Sequence, residues 1–322
     1  MSRHPDRNRE QATVKRIRTA IDSLRGQFPA QLLVDVPLRE LTTFRIGGPA
    51  LGVGLIQTHD DARKFQAIAA EHDLPLAFLG DGSNVLADDR GFCGLILKME
   101  VPTFEIHGDT VTVGAGVRFD NLIERCLAAG LVGLEFASGI PGTVGGAVVG
   151  NAGCYGHEIS EFLVAATVLR ADGRLETVGP EDLVFSYRNS RLKGSTDLLL
   201  EAELQLRQGD NTAALQARQE HLASRGRKHP VHEPCAGSYF QNLPPRISGG
   251  KRRAAGELLE AVGAKEMQVG GAAVFAKHAN IIINADGASC RDVQALAARM
   301  RTAVADRFEV QLQEEVRYLS WC

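Results

Sequence analysis

The sequence predicts a mixed α+β protein made of three successive lobes, with breaks near residues 100 and 208. Three features carry that expectation. Residues 51–99 alternate strand, helix and strand in the manner of a βαβ unit. Residues 104–206 switch to short strands joined at Gly108-Asp109 and Asp172-Gly173, both hairpin signals. Between the hairpins, residues 138–156 hold seven glycines (Gly139, Gly142, Gly145, Gly146, Gly150, Gly153 and Gly156) and no acid or base.

Composition narrows the possibilities. The 322 residues are 44% hydrophobic and 23% charged, which describes an ordinary globular chain with ample core. Net charge is −3 with both signs interspersed, so no nucleic-acid partner is expected, and an anionic substrate has to be met by local cations. Six scattered cysteines without a CxxC pair predict neither a disulfide framework nor a zinc site. The charged residues 1–10 lack an apolar h-region, and no apolar run reaches bilayer length. A cytoplasmic protein without a membrane span is expected.

Taken in order, residues 1–10 read as disordered, and Val14, Ile17, Ile21 and Leu24 predict a helix over 11–28. Residues 41–49 read as an extended segment ending at Gly47-Gly48-Pro49, with Arg45 as a nearby cation. Strands are expected at 51–57, 75–79 and 91–99, with a helix at 58–72 capped by Thr58. The strand at 75–79 runs into Gly80-Asp-Gly-Ser-Asn84, a glycine-rich turn at a strand end, where ligands of α/β units sit. It is no dinucleotide fingerprint, because Val85 stands where the third glycine belongs, and no GxxxxGK[ST] occurs. A short helix at 119–129 leads into the glycine run. Ile140, Val144, Val148 and Val149 make that run too apolar for a linker, which suggests close-packed backbone facing a phosphate-bearing ligand. A crowded turn without a ligand is the other reading.

Further strands are expected at 162–169, 175–178 and 197–206, then a helix at 212–224 ending in Arg225, Arg227 and Lys228. His229 and His232 form an HxxH, but Pro230 and the missing HExxH argue against a metal. A polar loop at 244–253, a helix at 254–262 and a strand at 280–284 follow. Ser289 and Asp292 form a capping box for the last helix, whose core face is Val293, Leu296, Met300, Val304 and Phe308. Residues 310–318 alternate as a strand, and Glu314 interrupts its apolar face. Arg188, beside Tyr187, suits a carboxylate clamp or a plain surface arginine. Ser238 lies in no GxSxG, so a hydrolase nucleophile is not indicated.

Six segments occur in order: Thr-Thr-Phe-Arg-Ile-Gly-Gly at 42–48, Gly-Asp-Gly-Ser-Asn at 80–84, the 138–156 run ending Asn-Ala-Gly-Cys-Tyr-Gly, Ser-Tyr-Arg-Asn-Ser at 186–190, Ala-Gly-Ser-Tyr-Phe at 236–240 and Glu-Val-Arg at 315–317. Together they resemble the UDP-N-acetylenolpyruvoylglucosamine reductases, the MurB flavoenzymes, over roughly residues 37–320. The chain is similar to the shorter form of that family, without its substrate-domain insertion. The resemblance implies a two-lobed FAD-binding module of the vanillyl-alcohol-oxidase type plus a C-terminal α+β substrate-binding domain. The implied division is a tail and helix at 1–36, lobes at 37–100 and 101–208, and the substrate domain at 209–322.

The resemblance also implies a reaction. NADPH reduces FAD, and UDP-N-acetylglucosamine enolpyruvate is reduced to UDP-N-acetylmuramate for peptidoglycan, with no metal and a monomeric enzyme. Arg188 matches the family's cation, Ser238 its proton donor and Glu315, rather than Glu314, its supporting acid. Carried over for FAD are Arg45, Gly47, Gly80, Gly82, Ser83, Asn84, Gly139, Gly142, Gly145 and Gly146, and for substrate Tyr187, Arg225, Lys228 and Asn242. Cys154 and a longer, more basic 243–253 loop depart from the pattern. A paralogous flavin oxidoreductase with another substrate is an alternative, as is a non-catalytic flavin or nucleotide-sugar binder.

Overall fold

Three antiparallel or mixed sheets, each with its own helices, organise residues 5–247 and 250–321, which the computed structural model describes. Helix α1 (Pro5–Arg25) lays Ile17, Ile21 and Leu24 on the first sheet. It begins well before the expected residue 11, so residues 5–10 are helical rather than disordered, and residues 1–4 lie outside the described residues. Trp321 helps to hold this end: its indole N–H donates to Glu10 at 2.9 Å.

The first sheet holds β1 (Leu32–Pro37), β2 (Pro49–Ile56), β3 (Leu76–Leu79) and β5 (Phe92–Met99) in the order β1-β2-β5-β3. β1 pairs antiparallel with β2, while β2 and β3 both run parallel to β5. The crossover is α2 (His59–Glu71), which buries Ala62, Phe65, Gln66 and Ala69 at helical spacing. Thr58 and Asp61 form a reciprocal capping box at its start. The short β4 (Val85–Ala87) stands outside this sheet.

The second sheet is wholly antiparallel. β6 (Phe104–His107), β7 (Thr110–Gly114), β8 (Leu163–Leu169), β9 (Leu175–Val178) and β10 (Leu198–Gln205) take the order β9-β8-β10-β7-β6. Helix α3 (Phe119–Ala128) packs against α4 (Val144–Val149), which lies on the sheet and is the central part of the glycine run. α5 (Asn211–Lys228) also packs here: buried Arg218 makes a fork to Asp120 at 2.6 and 2.8 Å and reaches Glu124 at 2.6 Å.

The third sheet is β11 (Cys235–Ser238), β12 (Gln268–Val269), β13 (Ala272–Val274) and β14 (Ile281–Asn284), ordered β11-β14-β13-β12. α6 (Ala255–Ala261) and α7 (Cys290–Phe308) cover it, and α7 buries Val293, Leu296, Ala297, Met300 and Val304 behind its Ser289–Asp292 capping box. The expected strand at 310–318 is much shorter. Only β15 (Arg317–Leu319) is regular, pairing parallel with β4, and a single bridge joins Glu314 to Phe240. Phe44, Ile46 and Leu86 from the first third of the chain are buried in the core of this C-terminal part. No helix among the described residues is long and apolar enough to cross a membrane.

Candidate active site

Three glycine-containing turns meet where the first two sheets face one another. The 80–84 turn leaves β3 with Gly82 at φ 63°, and Thr43 N–H donates to the Gly82 carbonyl at 3.3 Å. A Cβ on Gly80 would stand 2.5 Å from Thr143 Oγ1, and one on Gly142, at φ 112°, 2.6 Å from Ser83 Oγ. The Ser83 hydroxyl donates to the Pro141 carbonyl at 3.2 Å. Gly47 is similarly confined, since a Cβ there would meet the Ala87 Cβ at 2.6 Å. These glycines are required because the side chains of Thr143, Ser83 and Ala87 already occupy the space a Cβ would need.

The same geometry separates roles within the run. Gly145 N–H donates to the Ala115 carbonyl at 3.0 Å, and Gly146 N–H to Thr143 Oγ1, the cap of α4, at 3.3 Å. Gly139 N–H donates to Asp120 at 2.8 Å, so the Arg218–Asp120 pair fixes this loop. These three amides are therefore held by the protein itself. Arg45 is exposed at φ 54°, and the Asn84 side chain donates to the Glu315 carbonyl at 3.2 Å.

Beside these turns a cleft of about 400 Å³ is lined by Asp81, Lys98, Glu100, Gly116, Arg118 and Arg125. Among the described residues Asp81 Oδ2 is buried without a hydrogen bond, 3.5 Å from the Arg118 Nε. A cradle that side chains would fill, an orphaned acceptor and neighbouring cations suit a long, hydroxyl-bearing phosphate ligand such as FAD.

A second cluster lies where residues 186–190 meet the C-terminal part. Ser186 and Asn189 exchange backbone hydrogen bonds of 3.0 Å, closing a turn that puts Arg188 at φ 55°. A non-glycine residue costs about 1–2 kcal/mol there, so its surroundings have to hold it. The Arg188 guanidinium donates to the carbonyls of Gly153, at 2.5 Å, and Asn151, at 3.4 Å, and its Nε stands 3.3 Å from Glu315 Oε1. Buried Asn151, itself at φ 44°, donates to Glu158 at 2.7 Å and to the Ser186 carbonyl at 3.0 Å, tying the glycine run to this turn.

Glu315 N–H donates to the Tyr239 carbonyl at 2.8 Å, which sets it one residue from Ser238 at the end of β11. Ser238 is half-buried, and its hydroxyl has no protein partner among the described residues. Burial pushes the Glu315 carboxyl above its ordinary pKa, while Arg188 and Lys193 pull it back. Glu314 instead is exposed and pairs with Arg301 at 3.1 Å. The alternation that singled it out assumes a regular strand, and the chain is not one there.

Of the remaining expected residues, Tyr187 and Asn242 are linked to this cluster through Arg252. The Tyr187 ring lies between Arg252, at 3.8 Å, and Arg188, at 5.2 Å. Asn242 accepts the Ala255 N–H at 3.2 Å through its side chain, while its carbonyl takes the Arg252 guanidinium at 2.6 and 3.1 Å. Arg225 is half-buried against Gly139, and Lys228 is exposed at the end of α5. His229 stacks on His278 with centroids 5.2 Å apart; burial first, then Arg225, pushes its pKa down to about 4. His232 is exposed, so the HxxH does not converge. Sequence reasoning missed Asn151, Lys193, Arg252 and the Arg218–Asp120 pair. For Asn151 a signal existed, an amide side chain inside an otherwise apolar glycine run.

Residues 50–179 match a family described as "FAD binding domain", and residues 229–319 match "UDP-N-acetylenolpyruvoylglucosamine reductase, C-terminal domain". UDP-N-acetylenolpyruvoylglucosamine reductase 2 of Symbiobacterium thermophilum is 38% identical, with 90% of this chain and 92% of that one covered. The Bacillus subtilis UDP-N-acetylenolpyruvoylglucosamine reductase is 37% identical, with 93% and 97% covered. The crystal structure of UDP-N-acetylenolpyruvylglucosamine reductase (MurB) from Thermus caldophilus superposes with a TM-score of 0.76 at 32% identity, covering 90% of this chain and 100% of that one. Two matched families in the right order, relatives matched over nearly their whole length and a common fold lead to one conclusion: the chain belongs to the UDP-N-acetylenolpyruvoylglucosamine reductase family.

Proposed function

We propose that this protein reduces the enolpyruvyl ether of UDP-N-acetylglucosamine enolpyruvate to UDP-N-acetylmuramate, with NADPH as donor, in peptidoglycan precursor synthesis. The pairing of Arg188 with Glu315, one residue from Ser238, is the observation that carries it. FAD held by the glycine turns at 47, 80–84 and 139–146 would supply hydride chemistry, with NADPH as donor, at the terminal alkene carbon. Negative charge then builds on the adjacent carbon and its carboxylate. Arg188, held by two carbonyls and Glu315, presents a fixed cation to that carboxylate. Such a preorganised charge is worth about 10²–10³ in rate. The Ser238 hydroxyl delivers the proton to the carbon, a step worth on the order of 10²–10⁴. Serine is a weak acid, so the acceptor has to be strongly basic, as an enolate beside a carboxylate is.

For the cofactor, the turns carrying Arg45, Gly47, Gly80, Gly82, Ser83, Asn84, Gly139, Gly142, Gly145 and Gly146 form the cradle, and Asp81 offers an acceptor to a hydroxyl. Gly145 acts there by close packing on Ala115, and Gly146 by leaving open the space a side chain would take, since both amides are used internally. Tyr187, Arg225, Lys228 and Asn242 are the proposed substrate contacts. We read residues 37–100 and 101–208 as the cofactor lobes. We read residues 209–322 as the substrate domain, with α5 at its start packing on the second lobe and residues 229–319 matching the reductase C-terminal family.

The test separates the half-reactions under anaerobic conditions. FAD-loaded protein reduced by one equivalent of NADPH should regain oxidised-flavin absorbance when the enolpyruvyl substrate is added. Ser238→Ala should be reduced normally and reoxidised at least about 10²-fold more slowly. Normal reoxidation in that variant would remove Ser238 from the mechanism, and no reoxidation in the parent protein would point to another acceptor.

A further inference from the structure

Resting on the carboxylate-clamp reading of Arg188, we propose that Lys193 is a positioning residue: its ammonium group locks the Arg188 peptide so that the guanidinium stays aimed at the substrate carboxylate. Lys193 Nζ donates to the Arg188 carbonyl at 2.9 Å. That bond falls on a residue whose left-handed backbone, φ 55°, needs an external restraint.

The lysine reaches it from a fixed base. Lys193 N–H donates to the Ser190 carbonyl at 3.0 Å, and buried Ser190 sends its hydroxyl to the Val149 carbonyl at 2.8 Å. The segment from Arg188 to Lys193 is thus a closed loop pinned to the end of α4. A surface lysine would keep its ammonium in water, whereas this one is half-buried beside Glu315, Arg317 and Arg188. Burial lowers its pKa, Glu315 opposes that, and Arg317 and Arg188 add to it. Arg188 and Lys193 therefore both act on the Glu315 carboxylate, an arrangement with spare positive charge for an incoming anion. Lys193 commits one of its three N–H donors to the Arg188 carbonyl, and it is through that bond that it positions Arg188.

The test compares two ligands on oxidised, FAD-loaded protein by flavin absorbance titration. One is the enolpyruvyl substrate, and the other is UDP-N-acetylglucosamine, which lacks the carboxylate. Lys193→Met should weaken the first by roughly 10- to 100-fold, as expected for a lost charged hydrogen bond, and leave the second unchanged. Reoxidation by substrate should slow while reduction by NADPH stays normal. Lys193→Gln keeps a donor for the Arg188 carbonyl and should recover most of the loss. If Lys193→Met retains full preference for the enolpyruvyl compound, or weakens both ligands equally, the proposal is overturned. Should the Met variant not fold, the Gln variant decides: near-normal preference supports the positioning bond, and loss of preference overturns it. A parent protein with no preference would refute the Arg188 reading instead.

Discussion

Replacing Gly82 by alanine tests the cradle most directly. Alanine at φ 63° is strained by about 1–2 kcal/mol. Its Cβ would collide with the Leu41 carbonyl oxygen and stand 2.8 Å from the Thr42 Cα, both parts of the main chain that cannot swing aside. Forcing an atom into such a contact adds about 1–3 kcal/mol. A total of about 2–5 kcal/mol leaves most domains folded at room temperature. If the turn relieves the clash by moving away from its bound position, FAD affinity should fall roughly 30-fold to several-thousand-fold. Titrating apoprotein with FAD and following flavin fluorescence gives the number. Gly108→Ala is the control, because Gly108 has a similar φ of 66° with nothing within 4 Å of its Cβ position. FAD binding within about threefold of the parent in Gly82→Ala, or equal weakening in both variants, would refute the cradle.

Thr143→Ala removes the cap of α4 and should lower stability by about 1 kcal/mol, read as a urea midpoint shift; no shift would mean that Gly146 finds another acceptor. Arg218 holds Asp120 below the ordinary carboxylate pKa of 3.8, so this pair stabilises fully above that value and less as pH falls through the depressed one. Urea midpoints should therefore drop more steeply with acid in the parent than in Asp120→Asn, and parallel curves would contradict the pairing. His229, depressed from 6.5 to about 4, favours the folded state above 6.5, and that contribution is lost as pH falls toward 4. His229→Gln should flatten this slope, and an NMR midpoint near 6.5 for His229 would count against its burial.

Much of this was legible in the sequence because local chemistry decided it. The capping boxes at Thr58 and Ser289 and the apolar stripe of the last helix are set by neighbours within one or two turns. Hairpins at Gly108 and Gly173 are equally local, with φ 66° and 83°. Less legible were features that depend on distant partners. β4 has only three residues and exists because Arg317–Leu319 lies beside it. The first residues gave no sign of helix, since Trp321, far along the chain, helps to hold that end. The glycine run pointed to close packing but could not say which amides the protein keeps. Glu314 and Glu315 illustrate the same limit: periodicity assigns faces only where a strand is regular, and the partners Arg301 and Arg188 come from other elements.

Phe44, Ile46 and Leu86 in the C-terminal core, and β15 beside β4, bear on how the chain matures during synthesis. Thr43 bonds to the Cys235 carbonyl 192 residues later, and Asn84 to Glu315 across 231 residues. The first third therefore leaves the ribosome with apolar side chains that have nowhere to go until the last strand emerges. Contacts at such separation slow folding and prolong exposure of sticky surface. A fragment ending before residue 229 would keep Phe44 uncovered, so it should aggregate or recruit chaperones even though its two sheets are complete.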